Sequence, residues 1–519
     1  MRDTDFGWHY RCGLELATQG KLCNVNRYTS LLDGFKWNSP SQGYDLLLYA
    51  LYQNAGFPGI TFFYALSAAL VFTFFTKSLN GGLLINSWAA LIGLWFSWSI
   101  YDIGFRSQIL SIYFLAIFLA LIRLSQSNKK CLLLLPVISL VWVNLHSGFF
   151  LGPSVAVVFL AQCIYEFRRG EITLKDLKFS AVVTALTLAA TLVNPAGLPT
   201  YQEVFRHTQV PMNTLIAEWV SPLPWQIFLI ISVSVFLSFN LWRKEDKNIF
   251  GIILVSFFGV LAVMARRNLP LFSITAVFAL SEILNKRLSP SSCLPDSRLD
   301  RRDSQVGQGA TPGSASVKTS ADRSDPSLRE PQNDARNDSG CDQNDGGRKA
   351  IILRQAPNLT IYLLLISLIF IFAYKNSPKA INYDERTYSL NALVTLPYEG
   401  VKFMQTQKPG NVFNAYEWGG YLIWKLPKFK MFTDGRMPSW DTSAEDRLPE
   451  TWRGKSPYTI YIETLQTQPG WLEVVKAYDT KYIMIQTGVF MDLVLKEDPK
   501  KYGYKEIFRD GAATIYKKT

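Results

Sequence analysis

Asp3, Asp5 and His9 crowd the first nine residues, "MRDTDFGWH", and a carboxylate of this kind can take the proton of an attacking hydroxyl. Asp5 and His9 are four apart, so a helix puts them on one face, a spacing that suits a reactive site and a solvated surface pair equally. Asp102 and Arg106, Asn144 and His146, Asn194, Arg206 and His207, Glu218, and Arg266 and Arg267 come from separate stretches of the chain. Polar and ionisable groups at membrane depth are expensive, so each of them needs an explanation. Carboxylates and arginines gathered at one membrane face suit a reaction on a phosphate-bearing lipid, because an arginine fork binds phosphate oxygens. Plainer roles stand beside these. Arg266 and Arg267 end an apolar run and can snorkel to headgroups, and Asn144 and His146 can satisfy the backbone of a broken helix.

The elements that must position these residues are apolar helices. The chain has 519 residues, 49% hydrophobic and 14% aromatic, yet its mean hydropathy is only +0.09. That average hides two populations, with continuous apolar runs from about Phe57 to Leu284 and again near Leu359, and polar sequence elsewhere. A bilayer core takes about 20 mostly apolar residues per helix. Spans are predicted at 57–76, 83–101, 108–124, 131–145, 149–166, 179–194, 225–242, 249–265, 268–285 and 358–374, about ten in all. The fourth ends in "WVNLHSGFF" and reads as a broken or re-entrant helix. The formal charge of +12 is explained by Lys and Arg flanking spans, not by nucleic acid, since no basic stripe with interleaved aromatics occurs in a soluble segment. "TKSLN", "RLSQSNKK", "EFRRGEITLKDLK", "WRKEDKN" and "LNKR" are the cation-rich alternate loops and belong in the cytoplasm. Residues 1–56, read as a loop with amphipathic helices, and the tail from about 377 then lie together on the extracytoplasmic side. The five Lys and Arg within residues 1–56 run against that rule.

An outside N-terminal segment needs something to deliver it, so the topology predicts a first helix upstream of Met1 that this sequence lacks. Within the helical domain of 57–287 and after it, organisation follows composition. Residues 288–349 lack aromatics, are rich in Ser, Asp, Gly, Pro and Arg, and read as a disordered cytoplasmic loop. The last span falls within 350–376. Residues 377–519 read as a small α/β domain, with "NVFNA", "KMFTD", "KYIMIQ" and "ATIYKK" as strands between helical stretches. The six cysteines have no metal spacing. Cys12 and Cys23 are expected as free thiols, with an extracytoplasmic disulfide as the alternative. No GxGxxG, GK[ST] loop, HExxH or GxSxG occurs, which argues against nucleotide-driven chemistry.

Taken together, "DTDFGWHYRCGLELATQGKL", "RSQILS", "WVNLHSGFFLG", "TLVNPAGLPTY", "EWVSP", "ARRNLPLF" and "NVFNAYEWGGYLIWKLPKFKMFTDGR" resemble a poorly characterised branch of the bacterial GT-C type membrane glycosyltransferases. These are polyprenyl-phosphate-sugar-dependent relatives of the protein mannosyltransferases. The resemblance covers most of the chain outside 288–349. It implies a polytopic helical fold of about ten spans with a small extracytoplasmic α/β domain, in a bacterial plasma membrane and cell envelope. It implies transfer of a hexose or pentose from a lipid-phosphate donor to a glycan, lipid or protein acceptor. An acidic residue of the first outer loop acts as base there, which maps to Asp5 or Asp3 and favours Asp5 because His9 shares its helical face. Donor phosphate would rest on Arg106 or on Arg266 and Arg267, with Asn144, His146 and Glu218 lining the site. A divalent metal, magnesium or manganese, is left open by the resemblance. The family's first span is absent here, and a catalytic carboxylate must be held to within about half an ångström, so for a chain lacking that span both transfer and loss of transfer stay open. A lipid or polysaccharide transporter or flippase, and a non-catalytic anchor for the tail domain, are the rival readings.

Overall fold

The structure, a computed structural model, describes residues 2–80, 82–209, 217–243, 247–288 and 382–519. The expected disordered loop from residue 289 onward, the expected last span, and Cys293 and Cys341 lie outside the described residues. Helix α1 (Phe6–Gln19) begins on Asp5 and stops at Gly20, whose φ of 63° ends the helix and lets its N–H reach the Leu16 carbonyl. Its buried face carries Phe6, His9, Cys12 and Gly13 at helical spacing. Helix α2 (Gln42–Ser78) is two helical stretches joined at a kink at Gly56, φ 58°, just ahead of Pro58. The proline removes a backbone donor and the glycine supplies the turn, so the sequence boundary expected at 56/57 is the kink between them.

Each of the first nine expected spans is occupied by helix. Among the described residues, five helices are long and apolar enough to cross a membrane: Gln42–Ser78, Ser107–Leu124, Ser147–Arg168, Pro224–Trp242 and Arg266–Leu284. Leu83–Phe96 and Ile249–Met264 are apolar but shorter. Helix Ser107–Leu124 is buried almost all round, from Ile109 to Ile122, which places it inside the helical packing. The fourth stretch is broken as expected. A 3-10 turn, Lys129–Leu133, leads into Leu134–Val143, and the chain then turns at Asn144.

In the tail, β1 (Asn411–Asn414), β2 (Lys430–Met431), β3 (Thr480–Gln486), β4 (Tyr504–Arg509) and β5 (Ala513–Lys518) form one sheet in the order β2-β1-β3-β5-β4. β2, β1 and β3 run parallel, and β5 and β4 complete the sheet antiparallel. The apolar runs "VF" and "YIMI" are buried, as strands covered on both faces require. The N-terminal loop extends this sheet at its β2 edge, where Thr29 bridges Met431 in parallel and Ser30 N–H reaches the Met431 carbonyl at 2.7 Å. Residues 2–288 and the tail therefore pack as one compact unit.

Cys12 and Cys23 are bonded, with Cα atoms 5.4 Å apart. This corrects the free-thiol expectation: the helix end at Gly20 folds the chain back and brings together two cysteines that are eleven apart. The bond ties α1 to the loop that edges the sheet. Replacing both cysteines by alanine is expected to cost about 2–4 kcal/mol, read as a lowered midpoint of thermal unfolding.

Candidate functional site

Arg106 stands at the N-cap of helix Ser107–Leu124 in extended conformation, which aims its side chain at the segment preceding α1. Its Nε lies 3.1 Å from Asp3 Oδ1, its Nη2 lies 3.2 Å from Asp5 Oδ2, and its Nη1 pairs with Glu218. One guanidinium thus carries three carboxylates. Burial works against its charge, but Asp3, Glu218 and Asp5 outweigh burial and hold it protonated above its usual range. Burial raises Glu218 too, and there Arg106 and Arg267 win and keep it below the ordinary carboxylate range.

The two aspartates differ in setting. Asp3 is fully enclosed at 1% exposure, accepts the Asp5 N–H at 3.2 Å, and leaves its Oδ2 without a partner. Burial pushes it up to about 7 against the pull of Arg106, which favours its protonated form. Asp5 keeps a quarter of its side chain accessible and is raised by burial against the same arginine. Two neighbouring carboxylates set apart by environment are what acid–base chemistry needs. Both are firmly held. Arg2 N–H bonds the Ile103 carbonyl, and the Tyr388 hydroxyl donates to the Asp3 carbonyl at 2.5 Å.

The tail domain closes this cluster. Because β2, β1 and β3 are parallel, the loops after all three leave the same edge of the sheet, where open α/β sheets place their sites. The loop after β1 starts helix Gly419–Lys425, which lies on α1. A side chain on Gly7 would run into the Gly420 carbonyl, and one on Gly420 into the Thr4 carbonyl. The loop after β2, "FTDGR", sets Gly435 directly against the Asp5 carboxylate. On either side of that glycine, Asp434 and Arg436 form a fully buried pair at 2.6 Å, with Arg436 also donating to Asn26 and lying over Tyr28, Trp37 and Trp440. Gly435→Ala is expected to displace Asp5 by putting a methyl group where its carboxylate sits. The proton affinity of Asp5 should then change while thermal stability changes little, followed by infrared spectroscopy of the carboxylate and by thermal unfolding of the purified chain.

No family model matches this chain, and no curated protein matches it in sequence. Its site must therefore be read from its own geometry.

His9 does not act with Asp5. As N-cap, Asp5 turns its carboxylate to Arg106, while His9 Nδ1 meets Asp45 Oδ1 of α2 at 2.5 Å. Gly13 makes this possible, since a side chain there would strike the Asp45 carbonyl and hold the two helices apart. Burial, and after it Arg106, His146 and Arg436, lowers His9 well below its ordinary value. His146 caps the turn Ser147–Phe150: its Nδ1 accepts the Gly148 N–H at 3.0 Å and meets Ser111 Oγ at 2.6 Å, and burial lowers it to about 3. Asn144 secures the broken helix, donating to the Leu140 and Val193 carbonyls while its own carbonyl accepts the Gly43 N–H. Asn194 likewise folds its own turn, accepting from Ala196 and Gly197 N–H.

Arg267 lies over the Trp219 ring at 4.3 Å, next to Glu218, and so belongs to the cluster. Arg266 is fixed through its backbone, whose N–H bonds the Val220 carbonyl, and its buried Nε has no hydrogen-bond partner. Asp102 pairs with Arg2 instead of Arg106. Arg206 and His207 gather around Glu203, with His207 also reaching Ser439. Among the described residues, no group of three or more His, Cys, Asp or Glu side chains is set to hold a metal. Asp3, Asp5 and Glu218 converge on a guanidinium instead. Sequence reasoning missed Asp45, Asp434 and Arg436. Asp45 had a signal, being a lone carboxylate opening an apolar run, where a charge needs an explanation. The buried pair flanking Gly435 had none beyond the quoted "FTDGR".

Proposed function

We propose that this chain is a GT-C-like membrane glycosyltransferase. It crosses a bacterial plasma membrane about ten times and keeps its site and tail domain on the extracytoplasmic side. The observation that carries the reading is Asp5, a part-exposed carboxylate with a raised proton affinity, seated between Arg106 and Gly435. Two further observations support it. The ionisable groups converge at one end of the apolar helices and not at their middle. The Cys12–Cys23 bond fits an oxidising, extracytoplasmic compartment.

In the proposed step, Asp5 accepts the proton of an acceptor hydroxyl on a glycan, lipid or protein. The hydroxyl oxygen forms the new bond to the anomeric carbon, and the bond from that carbon to the phosphate oxygen breaks with inversion. The polyprenyl phosphate leaves with the electron pair and its charge. Because Arg106 already has its nitrogens on three carboxylates, Arg267 and Arg266 are the better seats for that phosphate. Incubating the purified chain in lipid vesicles with polyprenyl-phosphate hexoses and pentoses, and following loss of the sugar from the lipid, tests the reading. No turnover of any lipid-phosphate sugar would sink it.

A non-catalytic anchor has one observation in its favour: the glycine-on-glycine packing of α1 against Gly420 makes the same contacts a structural tie between helices and tail. That reading predicts that Asp5 is dispensable wherever the fold survives.

A further inference from the structure

We propose that the tail domain is seated on the outer lipid–water boundary by four apolar side chains, Leu390, Leu393, Phe490 and Leu493. Among the described residues of the tail, these are the large apolar side chains left exposed, at 64%, 45%, 58% and 56%. They form two pairs, each spaced three apart. Leu390 belongs to helix Glu385–Asn391 with Leu393 just beyond it, and Phe490 and Leu493 belong to helix Phe490–Glu497. Large apolar side chains left exposed on an otherwise well-covered domain point to a contact surface.

The occupant follows from where the pairs stand. The Leu393 N–H bonds the Arg2 carbonyl, Arg2 Nε reaches the Asn391 carbonyl, and Arg2 pairs with Asp102. Asp102 directly follows Trp98–Tyr101, and in that stretch Trp98 and nearby Trp95 are themselves exposed, at 56% and 71%, as tryptophans of an interfacial belt are. Tyr388, on the same helix as Leu390, stacks on Phe57 at 4.8 Å, where α2 bends into its apolar length. The segment that carries the first pair thus packs against α2 where its apolar length begins. The second pair begins four residues after β3 ends, at the sheet edge whose other two loops lie on α1. The first pair therefore stands where the tail meets the helices, and the second follows the end of β3 that lies beside the loops reaching α1. Four such side chains entering the acyl–headgroup boundary give an interfacial hold of the kind amphipathic helices use. It would fix the tilt of the sheet, and with it the position of Gly435 over Asp5.

The inference does not depend on sugar transfer and is tested without it. Leu390→Cys, Leu393→Cys, Phe490→Cys and Leu493→Cys, each in a full chain with Cys131, Cys163, Cys293 and Cys341 replaced by alanine, would carry a nitroxide. The chain is reconstituted in phosphatidylethanolamine–phosphatidylglycerol vesicles. Relaxation by oxygen, which concentrates in lipid, is compared with relaxation by a water-soluble nickel chelate. Glu473→Cys is the aqueous reference, because Glu473 is exposed on helix Trp471–Ala477, which feeds the opposite end of β3. The expected result is an oxygen-to-nickel ratio several-fold above that of residue 473 at both pairs. A ratio equal to the reference would overturn the proposal. So would protection from both reagents, which would mean that protein, a second copy or another partner, covers the patch.

Discussion

Asp5→Asn should lower sugar transfer by about a hundred- to ten-thousand-fold, the range expected when a general base is removed. The amide keeps the shape of the carboxylate and can still sit beside Gly435, but it cannot take a proton. Asp3→Asn should behave differently, because burial already favours the protonated form of Asp3. The two substitutions therefore separate a group that moves a proton from one that stores it. The sign of the stability effect separates them again. Asp3 is raised from its ordinary 3.8 to about 7, so folding takes up a proton at this site. Its favourable contribution is complete below about pH 3.8 and is lost as pH rises toward 7. Asp3→Asn should thus gain stability relative to the parent as pH climbs through that window and then level off. Unfolding midpoints across pH 4–8, read beside transfer rates, would show it. Full transfer by Asp5→Asn with Asp3 intact would remove Asp5 from the mechanism.

What the sequence disclosed was local, and what it hid depended on distant partners. The apolar runs placed helices at the first nine expected spans, because an apolar stretch of that length has few other ways to satisfy its backbone. The broken helix at Asn144 was legible for a related reason, since a polar "NLHSG" inside an apolar run must pair with something. Strands β1, β2, β3 and β5 were legible as short β-rich runs, whereas β4, "YKEIFR", alternates charged and apolar residues too weakly to stand out. Arg106, Asp5, Asp3 and Glu218 were each picked out and expected at one face, but their direct pairing on a single guanidinium was not legible, because it joins chain segments more than a hundred residues apart. The pairing of Asp5 with His9 failed for an instructive reason. Helical spacing relates the two backbones, but the side chains take different partners, Asp5 turning to Arg106 and His9 to Asp45. Cys12 and Cys23 failed similarly, since only the reversal after Gly20 brings them together.

Arg436→Ala should be the most destabilising single change near the site, at about 3–5 kcal/mol, because it strands a buried charge. Asp434 and Arg436 have no exposed side-chain surface, and the guanidinium bonds both carboxylate oxygens of Asp434. Burial opposes the charge on Arg436, and Asp434 more than restores it. The arginine also joins the tail to the N-terminal loop through Asn26 and the rings of Tyr28 and Trp37. Its loss would therefore loosen the loop that the disulfide and the Thr29 bridge hold against β2, and Gly435 would no longer press on Asp5. Removing the carboxylate as well distinguishes charge from packing. If the penalty is a stranded charge, Asp434→Asn with Arg436→Met should recover most of the lost stability, as a well-filled apolar site does when both partners of a buried pair go. If the aromatic cage around the guanidinium carries the energy instead, the double variant will be no more stable than Arg436→Ala. Thermal midpoints of the parent and both variants decide between the two.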